Sequence, residues 1–346
     1  MTDQLPPAPA NPQPGPPARR PGSIRRTSTV LMHWPGGRGT QLRLDGRARD
    51  LVTPRHGDAY VVAEDSMTVG VSNLRVIEDI AVTPARAGVD RLVGAKAGGG
   101  LRRAIDDALP DERERGSPLY LLLDDMAGSS LIAGFAWSQG ADALRPPAPP
   151  TPEQVEAMAA MAAQYEPRSM IGICSGFRPG SSALTPDGFV NRDRRHNVAV
   201  VPPLADANDG LSWHELDAPP EVAMRRARRI DVREGDGALV VDAMFRDSCW
   251  RPDGVEVAVH EYHIDATVDV ETGVVTSVVA EPRVLPYPEC PGAAPNAAWL
   301  VGASARGLRR EVLERIQGIS CCTHLNDALR SLAEVPVLAG ELLPAA

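Results

Sequence analysis

The sequence predicts an α+β protein built from two tandem copies of one unit, each an antiparallel β-sheet with covering helices. Two repeats support this prediction: LVGAKAGGGLRR at residues 92–103 returns as LVGASARGLRR at residues 300–310, and an LxxDxxxRD pattern stands at residues 42–50 and again at residues 239–247. A chain of 346 residues is long enough for two such domains. We expect the two copies to pack face to face as an intramolecular pseudo-twofold dimer.

Composition divides the chain into five parts. Residues 1–22 are rich in proline and poor in apolar side chains, which predicts a disordered tail. Residues 23–138 form the first repeat and residues 225–335 the second, and the repeats open on the basic pairs Arg25-Arg26 and Arg228-Arg229. Between them, residues 139–224 hold a proline-rich linker, a helix and a Gly- and Ser-rich connector, and residues 336–346 form a C-terminal tail.

The elements follow from apolar periodicity. In the first repeat it predicts strands at residues 42–50, 60–71 and 74–82, then helices at 89–109 and from Leu119 onward. In the second repeat it predicts strands at 238–247, 255–270 and 274–281, then helices at 297–317 and 323–332. In the connector, Thr151 as N-cap and Pro152 behind it predict a helix to about residue 164.

Charge and cysteine content exclude several classes of protein. The net charge is −9 and arginines are scattered among acidic residues, so we expect no nucleic-acid partner. The cysteine count of five is odd and no signal segment leads the chain, which argues against a disulfide scaffold and for a cytoplasmic protein. The apolar runs are of strand length, short of the roughly 18 residues of a membrane span, so no membrane partner is expected.

The repeat acts as an internal control, because chemistry present in only one copy is a candidate for function. The polar residues found only in the second copy are His260, His263, Cys290, Cys321, Cys322 and His324. Their counterparts in the first copy include Ala63, Ser66, Pro118 and Tyr120, so the first copy is degenerate at this site. By the same logic, Asp45, Asp50, Asp242 and Asp247 are interpreted as structural, since both copies have them.

Two chemistries fit the second-copy residues. As metal ligands, Cys290, Cys322, His324 and His260 would suit zinc or iron. As a catalytic site, Cys322 would be a nucleophile or redox thiol with His324 or His260 as its base, because a thiol at a helix N-terminus has a lowered pKa. The apolar alternation changes phase at His260, which predicts a β-bulge there. Either site would take a small-molecule ligand.

Two alternatives stay open. The cysteines and histidines could be packed core residues of a non-catalytic binding or accessory protein. Cys174, in Gly172-Ile173-Cys174-Ser175-Gly176, has the outline of a nucleophile elbow, but the following Arg178-Pro179-Gly180 does not favour the helix that an elbow requires.

The second copy resembles the bacterial domain of unknown function 2889 family over residues 228–332. The resemblance is carried by a set of motifs, namely Arg228-Arg229, Asp242, His260, PYPECP at 286–291, LVG at 300–302 and CTHL at 322–325. One departure is Cys321, where the family has Gly. The resemblance implies the fold and the choice of Cys290, Cys322, His324 and His260, but no activity. A looser likeness in element order links the chain to iron–sulfur scaffold proteins.

Overall fold

A computed structural model describes residues 5–139 and 169–342 of the chain. The helix predicted at residues 151–164 and most of the proline-rich linker lie outside these residues. The strands are β1 (Ser23–His33), β2 (Leu42–Thr53), β3 (Tyr60–Val71), β4 (Ile77–Thr83), β5 (Ala199–Val200), β6 (Ala223–Glu234), β7 (Ala238–Trp250), β8 (Glu256–Asp269) and β9 (Val275–Val284). The α-helices are α1 (Leu101–Ala108), α2 (Pro110–Glu114), α3 (Pro118–Ile132), α4 (Ala136–Gln139), α5 (Leu308–Arg315), α6 (Thr323–Ser331) and α7 (Val335–Leu342).

The described strands form one large antiparallel sheet, as expected of an α+β protein. Its order is β4-β3-β2-β1-β6-β7-β8, and β9 and the short β5 both pair with β8. The two halves therefore join edge to edge through β1 and β6, with Ser28 opposite Arg228. The predicted face-to-face packing is wrong, because main-chain hydrogen bonds between the first strands of the halves make the sheet continuous.

The joining strands β1 and β6 are unusual in burying arginines. Arg26 is 1% exposed and holds the carboxylate of Asp50, while Arg226, also 1% exposed, holds that of Asp247 through Nε and Nη2. The counterpart of Arg26 is thus Arg226, and not Arg229 as the basic pairs suggested. Because these strands carry charged side chains in the core, apolar periodicity did not predict them.

Helices cover one face of the sheet and extended segments cover much of the other. Helix α3 packs on β1, β2 and β3, and α7 packs on β1 and β6. On the opposite face, residues 5–22 are held by main-chain hydrogen bonds, including Asn11 N–H to Arg283 (2.8 Å) and Gln13 N–H to the buried Glu261 carboxylate. The prediction of a disordered tail is therefore wrong for residues 5–22, because their polar backbone groups find partners on the sheet.

Both long predicted helices are interrupted. Residues 89–109 contain only a 3-10 turn and α1, and residues 297–317 contain the end of a 3-10 helix, a break and α5. Gly302 has φ +84° in the second break, a conformation that other residues rarely adopt. On α5, Glu311 and Arg315 form an ion pair at 2.8 Å, one helical turn apart. The residues assigned to a C-terminal tail begin with α7, whose Val335 and Leu338 are buried.

One helical stretch, Pro118–Gln139, is long and apolar enough by composition to cross a membrane. Most of its apolar window is buried inside the protein, as in the core helix of a globular domain. It contains the helix predicted from Leu119 onward, and the prediction that the apolar runs are only of strand length does not hold for it.

Replacing Gly128 of α3 with alanine is expected to lower the free energy of unfolding by about 1–3 kcal/mol. A Cβ there would collide with Nη1 of Arg226 and come within 2.7 Å of Oδ2 of Asp327, so a buried ion pair would have to move. Gly134 is the matched control, because no heavy atom lies within 4 Å of its Cβ position and alanine there should be neutral or slightly stabilising. Urea denaturation of both variants checks this, and equal effects would contradict it.

Candidate functional site

Three polar side chains from three elements meet in the second half. Asp247 lies near the end of β7, and His260 is its cross-strand partner on β8. The pairing of the two strands shifts by one residue directly after this pair, so the β-bulge predicted at His260 is confirmed. His324 comes from the first turn of α6, which packs against β8.

The facing atoms of this triad, Asp247, His260 and His324, are close enough to share a ligand. Oδ2 of Asp247 lies 3.6 Å from Nδ1 of His260 and 3.8 Å from Nε2 of His324. The two imidazole rings stack with centroids 3.5 Å apart. In the described part of the chain, this is the one group of three or more His, Cys, Asp or Glu ligand atoms that lie within 4.8 Å of one another.

Arg226 fixes the carboxylate of the triad. Burial by itself would raise the pKa of Asp247, but Arg226 and His260 hold that pKa well below its ordinary value. Asp247 is therefore an anion inside the protein, with its orientation set by two hydrogen bonds from Arg226 of 2.9 and 3.0 Å. The second lone pair of each oxygen stays available to another partner.

Each histidine of the triad has a ring nitrogen that faces the carboxylate of Asp247. Burial, and next His260, lower the pKa of His324 to about 3, so His324 is neutral at pH 7. Nδ1 of His260 is buried and makes no hydrogen bond within residues 5–139 and 169–342. A buried polar atom without a partner costs free energy unless something binds to it.

The predicted cysteines lie beside the triad and not within it. Cys322 is the N-cap residue of α6, and Cys290 begins a 3-10 helix. Both residues belong to the same apolar cluster as Tyr262, a fully buried side chain of β8. Burial, and next the neighbouring Cys322, raise the pKa of Tyr262 well above its ordinary value.

The predicted lowering of the Cys322 pKa is wrong. Cys322 does stand at the helix N-terminus, and hydrogen bonds there favour the thiolate. Burial outweighs them and raises the pKa of Cys322 to about 11. Burial and Cys322 also raise the pKa of Cys290 above its ordinary value. Both residues are therefore neutral thiols at pH 7.

The Gly- and Ser-rich connector reaches this site, which the sequence did not indicate. A Cβ built on Gly176 would lie 2.8 Å from Sγ of Cys290 and 3.7 Å from Sγ of Cys174, so glycine is needed where the connector crosses Cys290. Nε2 of His196 and the hydroxyl of Tyr287 share a hydrogen bond (2.9 Å). Burial, and next His260, lower the pKa of His196.

Some of the expected residues stay apart. His263 turns to the opposite face of β8, where Nε2 lies 3.3 Å from Asp242, so it does not approach His260. Asp247 was interpreted as structural because both halves carry it, and that shared presence concealed its place beside His260. Asp50 pairs across the strands with Ala63, whereas Asp247 pairs with His260. This difference between the halves is the signal that could have identified Asp247 as a site residue.

Comparison with known proteins gives a match to a protein family. No curated protein and no solved structure matches this chain. One family model matches, and it covers residues 224–338, which include the triad and both predicted cysteines. Residues 224–338 thus match the family described as "Protein of unknown function (DUF2889)".

Proposed function

We propose that the second half of the chain binds a divalent transition metal ion, Zn²⁺ or Fe²⁺, through Asp247, His260 and His324. The observation that carries this proposal is the convergence of one carboxylate oxygen and two imidazole nitrogens within 4.8 Å of one another. Ligand bonds of about 2.0–2.2 Å to a shared ion need only a small contraction of this group. Nitrogen and oxygen donors of this type suit both metals.

The charges around the triad support a cation. Asp247 is anionic and His324 is neutral at pH 7, so neither has to lose a proton when the ion binds. The hydrogen bonds of Arg226 would orient the carboxylate, as outer partners do in known metal sites. The unpartnered Nδ1 of His260 would gain the bond it lacks.

A site with three protein ligands is of the catalytic kind, because at least one coordination position is left for water or a small-molecule ligand. Cys322, Cys290 and Tyr262 line the same side of the sheet and are the residues that would meet that ligand or complete the coordination. A metal-free thiol mechanism with Cys322 as nucleophile is less well supported, since its pKa of about 11 leaves little thiolate at pH 7.

We also infer that the first half is a copy that has lost this site. Ala63 faces Asp50 beside a β-bulge just as His260 faces Asp247, and Arg26 holds Asp50 as Arg226 holds Asp247. The first half thus has the same arginine, carboxylate and β-bulge, and the methyl group of Ala63 takes the place of the His260 imidazole. The first half would then serve as the structural partner of the second in an internal pseudo-dimer.

Metal analysis of the purified full chain tests the proposal. We expect about one Zn²⁺ or Fe²⁺ per chain, and His324→Ala should weaken binding by more than the roughly 10–100-fold that loss of an outer partner costs. His263→Gln is the matched control, because His263 lies on the same strand but contacts Asp242 and should leave metal content unchanged.

Other outcomes would redirect the interpretation. If Cys322→Ser and Cys290→Ser remove the metal while His324→Ala keeps it, the ion is held by thiolates, and acid-labile sulfide alongside iron would indicate an iron–sulfur centre. A wild-type chain that takes up neither Zn²⁺ nor Fe²⁺ would overturn the proposal and leave a binding or accessory role with packed thiols and histidines.

A further inference from the structure

Two cysteines from distant parts of the chain meet at the edge of the second half. Residues 172–175 of the connector run alongside residues 318–321, which precede α6. The amide of Ser175 donates to the carbonyl oxygen of Cys321 (2.7 Å), and Sγ of Cys321 lies 3.4 Å from the carbonyl oxygen of Ile173. Cys174 is therefore flanked on both sides by contacts to Cys321.

This placement suits a disulfide. The amide that donates to Cys321 belongs to Ser175, the residue after Cys174, so the Cα atoms of Cys174 and Cys321 lie at most about 7.5 Å apart, close to the range of about 4.4–6.8 Å that disulfides span. Cys174 is half-buried, so a small molecule can reach its sulfur, and Cys321 is 7% exposed. Burial, and next Cys174, raise the pKa of Cys321 to about 12, and burial also raises the pKa of Cys174, so the exchange requires alkaline pH to supply the thiolates.

The remaining cysteines differ in how near they lie to Cys174. Cys290 lies across Gly176 from Cys174 and is the competing partner, Cys322 belongs to the apolar cluster that contains Tyr262, and Cys249 belongs to a separate apolar cluster beneath the first half. The connector is also anchored next to Cys174, because the hydroxyl of Ser175 donates to the carbonyl oxygen of Glu289 (2.7 Å) and the amide of Ser182 donates to the Glu289 carboxylate (2.8 Å). Cys174 is thereby kept at Cys321.

We infer that Cys174 and Cys321 are a modification site, at which exchange with a low-molecular-weight disulfide closes an internal disulfide bond. The Cys174 thiolate attacks one sulfur of the reagent and releases one thiol. The Cys321 thiolate then attacks the Cys174 sulfur of the mixed disulfide and releases the second thiol. Two protein thiols are oxidised and one reagent disulfide is reduced to two thiols, so atoms and electrons balance.

The bond would fasten the connector to the family domain beside the site. Gly176 is two residues from Cys174 and crosses the sulfur of Cys290, so the disulfide would fix the segment that covers Cys290. The inference does not depend on the metal proposal, because neither cysteine belongs to the triad.

Oxidised glutathione and the full chain test the inference. In the wild type, free thiols should fall from five to three, and digestion without reductant should yield a linked pair of peptides containing Cys174 and Cys321. Because Cys322 shares a peptide with Cys321, a Cys322→Ser variant should keep the link. Cys174→Ser and Cys321→Ser should each lose it and carry at most a bound glutathione, and Cys249→Ser should behave as the wild type.

Three results would overturn the inference. They are a linkage from Cys174 to Cys290 or Cys322, a wild-type chain that forms only mixed disulfides with glutathione, and five thiols that all stay reduced. The linkage is mapped directly in the wild-type chain, so the wild-type result still decides if a variant fails to fold.

Discussion

Replacing Arg226 with methionine is expected to lower the free energy of unfolding by about 3–5 kcal/mol. Arg226 is 1% exposed, and its guanidinium lies 2.9 Å from Asp247, 3.1 Å from Asp327 and 3.5 Å from Asp125. Burial by itself would raise the pKa values of Asp247 and Asp327. Arg226 is among the groups that instead hold both pKa values below their ordinary range. Methionine has a similar length but no charge, so the carboxylates around Arg226 would lose a positive partner inside the protein.

Chemical denaturation at pH 7 measures this effect, and Arg47→Met supplies the comparison. Arg47 makes a similar pair with Asp217 at 3.0 Å, but both side chains are exposed, so its loss should cost less than about 1 kcal/mol. Equal destabilisation by the two substitutions would show that burial of Arg226 is not what makes its ion pairs matter.

The second large effect is a dependence of stability on pH that comes from His214. This imidazole is 3% exposed and lies between the hydroxyls of Thr27 and Thr29, each 2.8 Å away. Burial, and next Arg49, Arg47 and Arg225, lower its pKa to about 3. The unfolded chain titrates near 6.5, so between these values it holds a proton that the folded protein does not.

The sign of the effect follows from that difference. The contribution of His214 is complete above about pH 6.5 and is lost as the pH falls toward 3, at about 1.4 kcal/mol per pH unit or about 2 kcal/mol by pH 5. His214→Gln keeps a donor and an acceptor but does not titrate. The unfolding free energies of wild type and variant, measured from pH 7.5 to pH 5, should therefore converge by that amount, and parallel curves would contradict the assignment.

The sequence predicted the outer strands well and the central ones not at all. Strand β3 was predicted at its observed bounds, and β8 within one residue at each end, because both alternate apolar and polar side chains. Strands β1 and β6 lie at the centre and bury arginines paired with carboxylates from other elements. Such pairing depends on residues far along the chain, which local periodicity does not reveal.

The candidate site was found in part for a similar reason. His260 and His324 stood out because the first half lacks them, and the two rings do stack in the structure. Asp247 and Cys174 were passed over, the first because both halves have it and the second because its local motif suggested an elbow that does not form. What decides their importance is their position after folding, namely a cross-strand register for Asp247 and a connector crossing for Cys174.

The pairing of β1 with β6 also changes what counts as a separable piece of this protein. The residues that match the family begin within β6, a strand whose outer edge is covered by β1 from the other half. A fragment cut before β6 would expose a row of unpaired amides and carbonyls together with arginines that are now buried, an edge that seeks another strand. We therefore expect the complete sheet, and not the second half by itself, to be the smallest part of the chain that folds on its own.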